Sequence, residues 1–184
     1  MDENPINLII FFYSEMVLLP KTTPENNRIL TFRLIDFNAE DFVFDNALSV
    51  FSLVNDTTII TPEKNGLADG EVVIFDLNGL TSSHLTRVGL SSLRCFIKYM
   101  TEAHPVRIKQ VHVVNSHSLL DVLVMLFKPF VGSKAMKVVH FHKPNSSTLF
   151  DYVPKNVLPT EFLGTCGPIE EHKYYWIHRT EDFR

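Results

Sequence analysis

Three histidines raise the question of metal chemistry first. His140 and His142 are two residues apart, so any strand that carries them presents both on one face. His112 sits in a separate apolar run that reads as a neighbouring strand. A metal site needs another convergent ligand and an outer shell to orient it, and the sequence supplies neither. Satisfied histidines in the core or at strand ends are the plainer reading. Cys95 and Cys166 have no CxxC partner and no metal spacing, which fits a reducing compartment. There is no G-x-S-x-G elbow, P-loop or G-x-G-x-x-G, and glycines are few. The sequence therefore predicts no catalytic residue, no cofactor and no enzyme.

The other chemistry-bearing group is cationic. Arg107 and Lys109 share one face at the start of a strand, and Lys134 and Lys137 lie three apart further on. Such a cluster can hold a phosphorylated headgroup, although pairs of surface cations are usually just solvated. The formal net charge of -4 excludes a whole-protein attraction to nucleic acid, so any basic site must be local.

The elements that position these residues alternate. Residues 28–35, 71–77, 109–114 and 137–141 read as strands, and residues 40–55, 81–103 and 118–127 as helices. Ser82 or Ser83 is placed to cap the long second helix, and Pro105 ends it. Short helical turns are expected at 147–153 and 155–158. This order predicts an α/β fold around a mostly parallel sheet with flanking helices. The apolar run 6–13 is about half of what a membrane span requires, and Asp2 and Glu3 precede it where a signal peptide needs positive charge. It is read as a segment packed on the domain.

The segment 119–127, LLDVLVMLF, has eight apolar residues in nine and must be covered on both sides. Two solutions remain open: burial deep in the core, or a lid that faces a bound lipid on one side and a membrane on the other. The chain has fifteen Phe, which suits a large core or an oily pocket. The expectation is an apolar cavity beneath residues 118–127, lined by Phe75, Phe96, Met100 and Leu123.

Several stretches together resemble the CRAL-TRIO lipid-binding family. They are 70–79 (GEVVIFDLNG), 104–115 (HPVRIKQVHVVN), 128–131 (KPFV), 137–142 (KVVHFH) and 158–164 (LPTEFLG). They are similar to the family's G-x-x-x-x-[IF]-D-x-x-G, its P-x-[RK]-x-[KR]-x-[IV]-H-x-[IV]-N, its KPF and its LP-x-EYGG, in the same order, over residues 17–172. The wording is similar to that of α-tocopherol transfer protein-like and clavesin-like insect members. Residues 1–16 then form an apolar N-terminal segment and 17–184 the lipid domain, without the three-helix segment that precedes it in this subgroup. Phe162 and Leu163 stand where the family has Tyr and Gly, which puts the local turn in question.

The resemblance implies a sheet that floors a hydrophobic pocket and a mobile helical lid over it. It places Phe75, Phe96, Tyr99, Met100, Ile108, Val111, Leu120, Leu123, Phe127 and Val131 around the lipid. It places Arg107, Lys109 and Lys134 on a phosphoinositide headgroup, with Lys137 beside the position of a further family cation. The implied function is binding and intermembrane transfer of a tocopherol-, retinoid- or phospholipid-like molecule by a cytoplasmic monomer that touches phosphoinositide membranes transiently. The alternatives are a phosphoinositide-docking module without transfer and an inactive truncated paralogue.

Overall fold

A computed structural model describes residues 14–60, 67–116 and 119–173; the apolar run 6–13 lies outside these. Its elements are β1 (Ser14–Leu18), β2 (Asn27–Leu34), α1 (Phe44–Ile60), β3 (Gly70–Asp76), α2 (Ser82–Leu85), α3 (Leu90–Lys98), a π-helical turn (Tyr99–Ala103), β4 (Ile108–Val114), α4 (Leu120–Phe127), α5 (Ser133–Met136) and β5 (Val139–Phe141). Three 3-10 turns follow, at Thr148–Asp151, Lys155–Val157 and Thr160–Phe162. The five strands lie in chain order, β1 antiparallel to β2 and every other neighbouring pair parallel. The architecture is the mixed α/β one expected from the alternation of strands and helices.

Parallel pairing needs a long return path between strands, and α1, α2–α3 and α4–α5 supply it. One sheet face carries Val17, Leu19, Ile29, Val72 and Ile74. It is sealed by Leu149, Val153, Leu158, Phe162 and Ile169 from the C-terminal turns. The other face carries Met16, Leu18 and Leu30, which pack under Val50 and Phe51 of α1. Phe32, Val54, Phe96 and Met100 lean on that second cluster without being buried. Among the described residues no helix is long and apolar enough to cross a membrane.

β1 went unread because it is short and carries a charge. Glu15 is buried yet satisfied: it stands opposite Arg33 in register, accepts a hydrogen bond from Arg33 Nε at 2.6 Å, and lies 3.6 Å from Lys173 Nζ. The expected long helix 81–103 is broken in two. Thr81 caps α2: its N–H donates to His84 Nδ1 at 3.1 Å, while its carbonyl takes the His84 N–H at 3.1 Å. His84 is wholly buried with its ring edge-on to Phe42. The chain then turns, and Gly89, extended at ψ 116°, restarts helical winding at Leu90. The helix stops before Pro105 as expected, but through a wider turn in which the His104 N–H reaches back five residues to the Tyr99 carbonyl.

The quoted motifs turn out to hold strand ends together. Asp76 Oδ1 accepts from the Asn78 N–H at 2.9 Å and from Asn115 Nδ2 at 2.7 Å, so one carboxylate ties the β3 exit to the β4 exit. Gly79 has φ +77° and lies against the Phe37 ring, where a Cβ would not fit. Leu163 adopts the left-handed conformation at φ 58°, the geometry a glycine takes without cost. Its neighbour Gly164 abuts the Leu158 carbonyl, which leaves no room for a side chain. Leu163→Gly should therefore stabilise the chain by about 1 kcal/mol, and Gly164→Ala should destabilise it. Urea unfolding checks both signs; a less stable Leu163→Gly variant would show that the Leu163 side chain contributes more than its backbone strain costs.

Candidate functional site

Strand alternation places Leu30 and Phe32 of β2, Glu71, Val73 and Phe75 of β3, and Val111 and Val113 of β4 on one face, the face that α1 covers in part. The Phe32 and Phe75 rings sit 5.9 Å apart on it. A register shift between Glu71 and Val72 sets Ile108 opposite Glu71, Gln110 opposite Val72 and Val111 opposite Val73. Ile108 and Val111, three apart on one strand, thus both pair with residues of this same face. Such a bulge re-aims side chains locally. Gly70 is its counterpart: the Lys109 stem crosses it so closely that a Cβ would lie 2.6 Å from Lys109 Cγ.

The cover over this face is uneven: Leu30, Glu71, Val73 and Val113 are buried, while Phe32, Phe75 and Val111 are half-buried. None of the residues of α4 is buried, although seven of its eight are apolar. Met125 is 71 % exposed, and Val122, three residues before it, is also exposed. All ten residues assigned to the lipid are half-buried: Phe75, Phe96, Tyr99, Met100, Ile108, Val111, Leu120, Leu123, Phe127 and Val131. They come from β3, β4, α3, the π turn, α4 and the segment just after it. A groove of about 490 Å³ opens between α1 and α3, lined by Leu48, Ser52, Ser92, Cys95, Phe96 and Tyr99 among others. Of the four residues expected to line a cavity under α4, Phe96 is the one that borders this groove.

Arg107 is exposed, Lys109 half-buried and Lys137 exposed, and none of the three makes an ion pair among the described residues. Lys134 lies in α5, and its side chain is not among those described. Lys109 is the extra residue of the bulge at the entry of β4, Arg107 lies two residues before it, and Lys137 precedes β5, the parallel neighbour of β4.

The three histidines do converge, on the opposite, sealed face. His112 is fully buried and stacks on His140, its register partner, at 5.2 Å; the ring of Tyr152 lies 4.4 Å from His140. Their nitrogens are engaged in a chain. His112 Nε2 lies 3.2 Å from Gln110 Oε1, His112 Nδ1 3.0 Å from His142 Nε2, and His142 Nδ1 2.8 Å from Thr148 Oγ1. Only one proton fits between the two imidazoles, so the chain is complete with both neutral. Burial, then the charges of His142 and His140, push His112 down to about 3. Burial lowers His142 in the same way, followed by His140, against an opposing pull from Asp151. Among the described residues no group of three or more His, Cys, Asp or Glu is arranged to hold a metal.

One polar group on the α1-covered face had no sequence signal except its oddity. Glu71 is the second residue of β3, is 1 % exposed, and neither carboxyl oxygen has a hydrogen-bond partner among the described residues. Burial raises it to about 7, against the charge of Arg28, its register partner on β2. Burial, then the charges of Asp56 and Glu71, raise the Tyr99 hydroxyl. Tyr99 Oη is 3.3 Å from His104 Nδ1, and burial lowers His104.

These groups give two opposed pH effects. A histidine held low in the fold contributes stability present above its ordinary value near 6.5 and lost as pH falls toward about 3. A carboxyl held high contributes stability present below 4.5 and lost as pH rises through about 7. Glu71→Gln should thus gain on the wild type between pH 5 and 8, by at most roughly 3 kcal/mol. The advantage of the wild type over His112→Asn should shrink by roughly 2 kcal/mol between pH 7.5 and 5. Urea titrations across this range test both; parallel pH profiles for wild type and variants would show that neither group titrates on unfolding as stated.

Comparison with known proteins agrees with the geometry. The family model described as CRAL/TRIO domain matches residues 13–164. The chain is similar to an alpha-tocopherol transfer protein-like protein of Mus musculus, 24 % identical over 84 % of this chain and 45 % of the relative. It is also similar to Clavesin-1 of Xenopus laevis, 28 % identical over 55 % of this chain and 31 % of that protein. The chain thus spans less than half the length of these relatives. Among solved structures, the crystal structure of Sfh5 superposes with a TM-score of 0.53 at 10 % identity, over 94 % of this chain and 60 % of that one, a likeness of fold.

Proposed function

The chain belongs to the CRAL/TRIO domain family, and on that premise we propose that it binds one hydrophobic lipid between its sheet and α4 and transfers it between membranes. The carrying observation is the uncovered apolar surface. A helix with seven apolar residues in eight and none buried faces a cost that an acyl or isoprenoid chain removes. Its own Leu120, Leu123 and Phe127 and seven further half-buried side chains from five other parts of the fold supply the walls. The names of the relatives add an α-tocopherol-like ligand class to the reading. Burying about twenty apolar carbons at about 0.8 kcal/mol per methylene offers ample affinity after the cost of association. No bond is made or broken: the chain acts as a carrier, in the cytoplasm, peripheral to membranes.

The test is transfer of a fluorescent tocopherol or retinoid between vesicles. The wild type should accelerate it, and Val111→Asp, which puts a charge on the sheet floor, should reduce the rate at least tenfold while circular dichroism stays native. The melting temperature should rise with bound ligand by mass action. A folded wild type that neither accelerates transfer nor gains stability from any of a broad lipid panel overturns the carrier reading.

A headgroup site completes the proposal. Arg107, Lys109, Lys137 and, from the family resemblance, Lys134 bind the phosphates of a phosphoinositide and bring the α4 surface to its membrane. Charge-assisted contacts to phosphate are strong but screened where exposed. Binding to phosphatidylinositol bisphosphate vesicles should weaken as salt rises and fall further in the Arg107→Ala, Lys109→Ala double variant, with transfer from neutral vesicles retained. A double variant that binds these vesicles like the wild type refutes the assignment. It would also leave no support for the alternative of a docking module.

A further inference from the structure

Glu71 lies on the same sheet face as Val73 and Phe75, and is buried with both oxygens unpartnered among the described residues. Buried polar atoms without partners are rare in native proteins, and each calls for a reason. A second orphan stands nearby: His104 Nε2 is buried and unpartnered among the described residues, while its Nδ1 faces Tyr99 Oη at 3.3 Å. The backbone brings the two together: the Glu71 N–H donates to the Arg107 carbonyl at 2.9 Å and Glu71 pairs in register with Ile108, just beyond His104, which faces Tyr99. Tyr99 also lines the groove between α1 and α3. The surroundings are apolar: the Phe51 ring is 6.2 Å from His104 and 5.1 Å from Phe96. Resting on the lipid-carrier reading, we infer that Glu71, with Tyr99 and His104, is the polar end of the lipid site and selects apolar ligands that carry a hydroxyl group.

The chemistry separates hydroxyl from other headgroups. An anionic head would be repelled whenever the Glu71 carboxyl is ionised. A cationic head would meet Arg28, the buried register partner of Glu71. A hydroxyl is neutral and both donates and accepts, so it pairs with either protonation form of a carboxyl held near 7. Tyr99 donating to His104 Nδ1 leaves a neutral imidazole with its proton on Nε2, a donor that a hydroxyl oxygen satisfies and a hydrocarbon does not.

The test uses matched pairs in which a methyl group replaces the hydroxyl hydrogen, so that the donor is lost and the oxygen kept: phytol, retinol and α-tocopherol, each against its O-methyl ether. The full chain is offered both members in equal amounts from detergent, and bound ligand is counted by native mass spectrometry. The wild type should favour the alcohol about tenfold, the worth of one buried hydrogen bond to a charged group. Glu71→Leu should bring the ratio to about one. If that variant does not fold, Glu71→Gln, equal in shape, should reduce the preference by at least threefold. Equal uptake of alcohol and ether by the wild type, or an unchanged preference in Glu71→Gln, overturns the inference while leaving the carrier reading intact. Uptake of no ligand from any pair overturns both.

Discussion

Parallel strands exchange every backbone hydrogen bond with their neighbours, and their side chains point alternately to two faces, so both faces of such a sheet need an apolar cover. This requirement governs the molecule. The C-terminal turns meet it on one side with Leu158 and Ile169, both fully buried against Ile29 and Ile74. On the other side α1 covers the β1–β2 half through Val50 and Phe51, and the cover then thins toward β4 and β5. There Val111 and Val139 are register partners and both only half-buried. This asymmetry lets one face serve as scaffold and suits the other to the lipid floor proposed above.

The scaffold face is also where the polar networks sit. The imidazole chain from Gln110 to Thr148 crosses from β4 to the turn after β5, and Ser116 donates to the His142 carbonyl through both its N–H and its hydroxyl. Asp76 does the same for β3 and β4 with Asn115. Satisfied buried networks of this kind specify a single register, because any slip leaves several groups unpartnered. The register of the sheet is therefore fixed from the side opposite α1.

The alternation of apolar runs with helical periodicity made the sheet and its class legible, since the period of each segment is written in its own residues. The histidine convergence was half legible: two-residue spacing puts His140 and His142 on one side, but the neutral chain depends on Thr148 and Gln110, whose roles arise from tertiary placement. The break at Gly89 was hidden because apolar spacing runs on across it. Glu71 was hidden because a charge at the start of GEVVIFDLNG reads as a strand entry in solvent, and nothing local says that it will pair with Arg28 in the middle of the sheet and be buried. The bulge that aligns Ile108 with Val111 has no signature beyond Gly70, whose need for openness is created by a lysine on another strand.

The sheet's two margins are treated differently from its faces. β1 is buried along all five residues, and β5 at the far margin is only three residues long. An exposed long edge is a template on which a second chain can add a strand, and growth of ordered aggregates starts there. Among the described residues neither margin offers one of useful length. A chain that exposes Met125 and its neighbours is thereby exposed to sticking through side chains, which detergents and lipids reverse, rather than to backbone zippering, which they do not.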